Sequence, residues 1–202
     1  MIKGRIHLDE KFIKVKKDDC YDLNAIDSKT KYVLAHFFVE KRTIEKCVAF
    51  LRQIKITCYK QILEIYFQEK CKPVKKRELI IFVCDKFENC KTAFSKLFYR
   101  VAKLRFGVPI KAKKSGLKHN NNHIERYNQE IKDRIKTMRG FFSCRRAEHF
   151  LNLKHIIHNF VNPHRQLKGK TPAESAGINL NLGRNKLLTL IKYRAKMYIT
   201  KR

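Results

Sequence analysis

Three carboxylates stand out in a chain that has few. Among 202 residues there are 47 Lys plus Arg against 18 Asp plus Glu, so an acid set inside an apolar or strand-like segment is informative. Asp9 lies within the run IHLDEKFIKV, Asp85 closes the apolar run Leu79-Ile80-Ile81-Phe82-Val83-Cys84, and Glu125 falls in the first turn of a helical segment. Carboxylates arriving from separate elements are what two-ion phosphodiester chemistry needs, because hard divalent ions take oxygen ligands and must hold both attacking and leaving oxygens. The carboxyl ends of adjacent strands are also where open α/β sheets place their sites. Taken singly, each acid has an ordinary reading: a solvated strand residue for Asp9, a turn starter for Asp85, an acid favoured by the helix dipole for Glu125. Their order and their neighbours carry the weight.

The formal charge of +29 points to a polyanionic partner, since Lys and Arg release condensed counterions when they neutralise phosphates. Between Arg100 and Arg139 there are 12 Lys plus Arg and only three acids, Glu125, Glu130 and Asp133, whereas a merely solvated helix face alternates signs. Nucleic acid and an anionic membrane surface both fit that charge. No apolar run approaches the ~20 residues of a spanning helix, and the start MIKGRIHLDEKF has no apolar signal core. Seven Cys without a Cys-x-x-Cys pair give neither a disulfide framework nor a zinc ribbon and fit reduced thiols in the cytoplasm, beside the nucleoid. His155 and His158 share a helix stripe but have no carboxylate or Cys at ligand spacing, so they read as packing or phosphate-facing residues. Cys84, Phe141, Phe142 and Phe150 read as packing residues too.

The elements that must position the acids follow from periodicity. Residues 5 to 40 form three short β-rich runs separated by polar turns, an antiparallel meander. From Thr43, a plausible N-cap, the period becomes helical through Ile44, Cys47, Val48, Leu51 and Ile54, with a break expected near Thr57-Cys58. Leu79 to Cys84 is a strand buried on both faces. A helix is expected over about Asn89 to Lys103, a strand near Val108 to Ala112, a basic helix from Ile124 to Met138, and a more apolar one from Arg145 to Val161. Thr171-Pro172-Ala173-Glu174 spells a helix start with a capping box, and Asn185 to Arg202 a basic terminal helix. The class is α/β: a mixed sheet flanked by helices.

HLDEKFIKVK, YDLNAIDSKTK, IIFVCDKF, HNNNHIERYNQEIKDRIKTMRGF and NFVNPHRQLKGKTPAESAGI together resemble the catalytic domain of insertion-sequence transposases of the DDE class, within the retroviral-integrase superfamily. The resemblance runs over roughly residues 5 to 180, and motifs of that length are specific. It implies a ribonuclease H-like five-stranded sheet, an antiparallel meander plus parallel strands, flanked by helices. Residues 1–140 would be the catalytic domain and 141–202 a helical extension packed on it. By the same resemblance Asp9, Asp85 and Glu125 are the catalytic acids and ligands of two Mg2+ or Mn2+ ions, one shared by the two aspartates and one by Asp9 and Glu125. Implied activities are DNA strand cleavage and strand transfer, on element ends and target DNA, by a homo-oligomer assembled on double-stranded DNA. Expected DNA contacts are Lys86, Lys118, Asn122, Arg126, Lys132, Arg134, Arg139 and Arg165.

The chain departs from that pattern in two ways. The 39 residues between Asp85 and Glu125 are slightly more than the family has. The chain also begins at the first catalytic strand, without room for the N-terminal DNA-binding module such transposases carry. A second reading is therefore a truncated, inactive DNA-binding remnant that regulates full-length copies. A basic RNA-binding protein would explain the charge but not three acids in family order.

Overall fold

The structure, a computed structural model, describes residues 2–85, 88–107 and 122–199. β1 (Ile6–Val15), β2 (Asp18–Asp27) and β3 (Val33–Val39) form the expected antiparallel meander. β1 and β2 pair without interruption from Ile6 opposite Asp27 to Val15 opposite Asp18, and β2–β3 slips register between Ala25 and Ile26. β4 (Ile81–Cys84) and β5 (Lys103–Phe106) join in parallel on the other side of β1, which gives the order β3-β2-β1-β4-β5.

Side chains alternate across this sheet and build a separate core on each face. Ile6, Leu8, Leu23, Phe82 and Cys84 point to one side. There they meet α1 (Ile44–Glu69), through Cys47, Phe50, Leu51, Ile54, Cys58 and Ile62, and α2 (Glu88–Phe98), through Phe94 and Phe98. Ile13, Val15, Ile26 and Val33 point to the other. They meet Ile124, Tyr127 and Ile131 of α3 (Asn122–Thr137) and Ala147 and Leu151 of α4 (Cys144–Ile156). α4 continues into a wider turn over Ile157–Val161.

Helix boundaries follow capping chemistry. The Thr43 hydroxyl accepts from Lys46 N at the start of α1, and Ser143 does the same for α4 from Arg146 N. α5 (Pro172–Ser175) has the full capping box: Thr171 Oγ1 accepts from Glu174 N at 3.3 Å, and Glu174 Oε2 accepts from Thr171 N at 2.9 Å. The last helix is α6 (Lys186–Ile199).

Two expectations are corrected. α1 runs unbroken through Thr57 and Cys58, because the Thr57 hydroxyl donates back to the carbonyls of Gln53 (3.0 Å) and Ile54 (3.3 Å) while Cys58 keeps the buried stripe going. α2 stops at Phe98 rather than Lys103, since Arg100 adopts a left-handed φ of 63° and turns the chain into β5. The strand expected at Val108 to Ala112 lies outside the described residues.

Candidate active site

The parallel pairing of β1 and β4 brings the first two acids to one level. Ile6 is opposite Phe82 and His7 opposite Val83; two residues further along stand Asp9, still within β1, and Asp85, the first residue after β4. Leu8 and Cys84 are committed to the core under α1, so alternation turns Asp9 to the opposite face, under α3, while Asp85 is exposed just past the end of β4. Asn128 of α3 reaches down to this point, and its Nδ2 donates to Asp9 Oδ2 at 2.7 Å. Burial pushes the Asp9 carboxyl up to about 7, the negative charge of Asp85 adds to the rise, and the Asn128 hydrogen bond pulls against both. A carboxylate displaced that far by burial together with a like charge is typical of functional sites. On the other face of β1, Glu10 pairs with Arg42, and burial raises its carboxyl despite that partner.

Glu125 is exposed and lies one helical turn before Asn128 on α3, so the residue that holds Asp9 and the third acid share a helix face. Arg126, Lys132, Arg134 and Arg139 are all exposed. Lys132 stands near Lys11 of β1, whose ammonium is pushed down first by burial and then by the Lys132 charge. Arg126 lies near Lys31 in the turn before β3. Arg165 is exposed in a short turn, Arg165–Leu167. Asn122 opens α3; its side chain, Lys86 and Lys118 lie outside the described residues.

Residues 3–164 match the DDE domain of the IS240 type of transposase. The chain belongs to the DDE-domain transposase family. A chain of the simian T-cell lymphotropic virus intasome, in complex with a PP2A regulatory subunit, has the same fold. That chain is 12% identical, with a TM-score of 0.53 over 86% of this chain and 54% of the viral one. This DDE-domain chain therefore spans about half the length of that neighbour. The catalytic core domain of HTLV-2 integrase, in complex with magnesium, aligns at 15% identity and a TM-score of 0.49 over 86% of this chain and 96% of its own. No curated protein matches. Among the described residues of this DDE-domain protein, no helix is long and apolar enough to cross a membrane.

Sequence reasoning missed the polar network behind the acids. From Asp9 the hydrogen bonds pass through Asn128, whose Oδ1 accepts from Asn24 Nδ2 at 3.3 Å, and from Asn24 to Asp22 Oδ2 at 3.1 Å. Asp22 is fully buried. Its Oδ2 lies 3.1 Å from His155 Nε2, while Tyr127 Oη is 2.5 Å from His155 Nδ1. His36 stacks on His155 with ring centroids 3.9 Å apart. Burial alone would raise the Asp22 carboxyl, but His155 and His36 beside it bring it down to about 2. Asn128 had a signal, since it is the last residue of the motif HIERYN. Asp22, His36 and His155 had none, because 133 positions separate Asp22 from His155.

Proposed function

We propose that this chain is a transposase catalytic domain that cuts and joins DNA strands by metal-dependent phosphodiester chemistry, with Asp9, Asp85 and Glu125 as its catalytic acids. The single observation that supports the reading is the closeness of two acids, Asp9 within β1 and Asp85 just past the end of the parallel β4, close enough for the charge of one to raise the other, in a chain of the DDE-domain family. The donors fit Mg2+ or Mn2+, because all are carboxylate oxygens and because a cation offsets both the burial and the Asp85 charge that raise the Asp9 carboxyl. When bound, the ions activate the attacking oxygen and stabilise the leaving one.

The chain's own residues supply position and charge. Asn128 holds one oxygen of Asp9 by donating to Oδ2. Glu125 presents its carboxylate one turn away on the same helix. Arg126, Lys132, Arg134 and Arg139 meet the phosphates of double-stranded DNA, with Arg165, Lys86, Lys118 and Asn122 extending the track. Element ends and target DNA are the substrates, and copies of the chain assemble on them. Each neutralised phosphate contributes about −0.9 to the slope of log affinity against log salt.

The test is incubation of the protein with DNA carrying its element's ends and Mg2+ or Mn2+, beside Asp9→Ala, Asp85→Ala and Glu125→Ala. Nicking or joining that disappears in all three variants supports the reading. Salt-sensitive DNA binding without nicking under either ion overturns it and leaves the DNA-binding regulator in its place.

A further inference from the structure

We propose that Asp22, His36 and His155 form a second metal site, distinct from the carboxylates of Asp9 and Asp85, which takes a borderline divalent ion such as Zn2+ and clamps β2, β3 and α4 together. One ligand atom from each residue can be chosen so that all lie within 4.8 Å of one another. Ligands about 2.0–2.2 Å from a tetrahedral zinc stand about 3.3 Å apart. Two measured edges of the cluster lie near that value: His36 Nδ1 to Asp22 Oδ1 is 3.4 Å, and His155 Nε2 is 3.1 Å from the carboxylate's other oxygen, Oδ2, to which it is now hydrogen-bonded.

The first of those edges is not a hydrogen bond. Asp22 Oδ1 and His36 Nδ1 are both buried and both lack a hydrogen-bond partner, a costly state for two polar atoms that face each other. A shared cation satisfies both at once. Partners outside the cluster already orient it: Tyr127 Oη bonds Nδ1 of His155, and Asn24 Nδ2 donates to Asp22 Oδ2, which leaves Asp22 Oδ1 for the ion. Such outer partners orient the ligands of protein metal sites. Access comes from a hollow of about 440 Å³ lined by His36, His155, Glu148 and Asn152, which supplies room for a water as fourth ligand. Two imidazoles and one carboxylate select zinc, cobalt or nickel over magnesium, so the proposed DNA chemistry and this site call for different ions.

The test uses the full, untagged chain carrying Asp9→Ala, Asp85→Ala and Glu125→Ala, dialysed against Zn2+ and analysed for retained metal, with Co2+ as a spectroscopic substitute. One equivalent retained, with tetrahedral cobalt bands and no thiolate charge transfer, is the expected result. His36→Ala, the least buried ligand, lowers affinity at least about 100-fold and Tyr127→Phe about 10-fold; circular dichroism checks that each folds, and His36→Gln replaces His36→Ala if it does not. Zinc lost on dialysis, retention unchanged without His36, or a cobalt spectrum dominated by thiolate overturns the proposal. DNA cleavage does not enter this readout, so the two proposals stand or fall separately.

Discussion

Asp9 and Asp22 sit on neighbouring antiparallel strands, joined through Asn128 and Asn24, yet they lie at opposite extremes of acidity. Burial pushes both carboxyls up. Asp9 faces another carboxylate and ends near 7, while Asp22 faces two imidazoles and ends near 2. Desolvation alone therefore does not decide the charge of a buried acid here; the sign of its neighbour does. One sheet holds an acid that exchanges its proton near neutral pH, and a second acid that is ionised well below it.

The sharpest way to break this contrast is Asp22→Ala. If Asp22 is a compensated buried anion, its removal costs about 4 kcal/mol in a denaturation midpoint at neutral pH; a loss below about 1 kcal/mol abolishes the distinction. His158 tests what burial does without a carboxylate partner. Its Nε2 bonds the Lys31 carbonyl at 2.9 Å, and burial lowers its pKa from 6.5 to about 4. The unfolded chain takes up a proton that the folded one refuses, so stability falls as pH drops from 6.5 toward 4, by at most about 3 kcal/mol. His158→Gln keeps the donor and flattens that acid limb in thermal melts.

Asp9 has the opposite sign. Its raised carboxyl contributes stability below the unfolded value of 3.8 that is lost as pH rises through about 7. Asp9→Asn in a chelator therefore stabilises the protein by about 2 kcal/mol at pH 8, after discounting for the part-open site. Unchanged stability there refutes the raised Asp9 carboxyl. The smallest effect sharpens the contrast: Asn128→Ala removes the side-chain donor to Asp9, costs about 1 kcal/mol, and moves the Asp9 titration further up in a pH series of melts.

Much of the fold was legible because it rests on local rules. The meander follows from short β-rich runs separated by turns, and the buried strand from an uninterrupted apolar run ending at Asp85. The α5 cap follows from four consecutive residues. The α2 boundary was illegible, because the residue that turns the chain left-handed is Arg100, with no glycine to announce it. Thr57 misled for a related reason: a β-branched residue suggests a break unless its hydroxyl is seen to bond back into the helix. Asp9, Asp85 and Glu125 could be picked out by order and motif. The partners of Asp22 could not, since His36 and His155 reach it only through tertiary packing.

The register of β1 also has a consequence in time. Its partner β2 follows after a two-residue turn, Lys16-Lys17, whereas its partner β4 begins at Ile81, across α1. Closing the long loop costs more chain entropy and offers only a four-residue strand in return. The half of the carboxylate pair on β1 thus belongs to a unit that closes early, and the half carried by β4 to one that closes late and opens first. Hydrogen exchange should find the amides of β4 and β5 less protected than those of β1 and β2. Mild heating would then part Asp85 from Asp9 while the meander stays folded, so the pair can come apart well below the temperature at which the molecule melts.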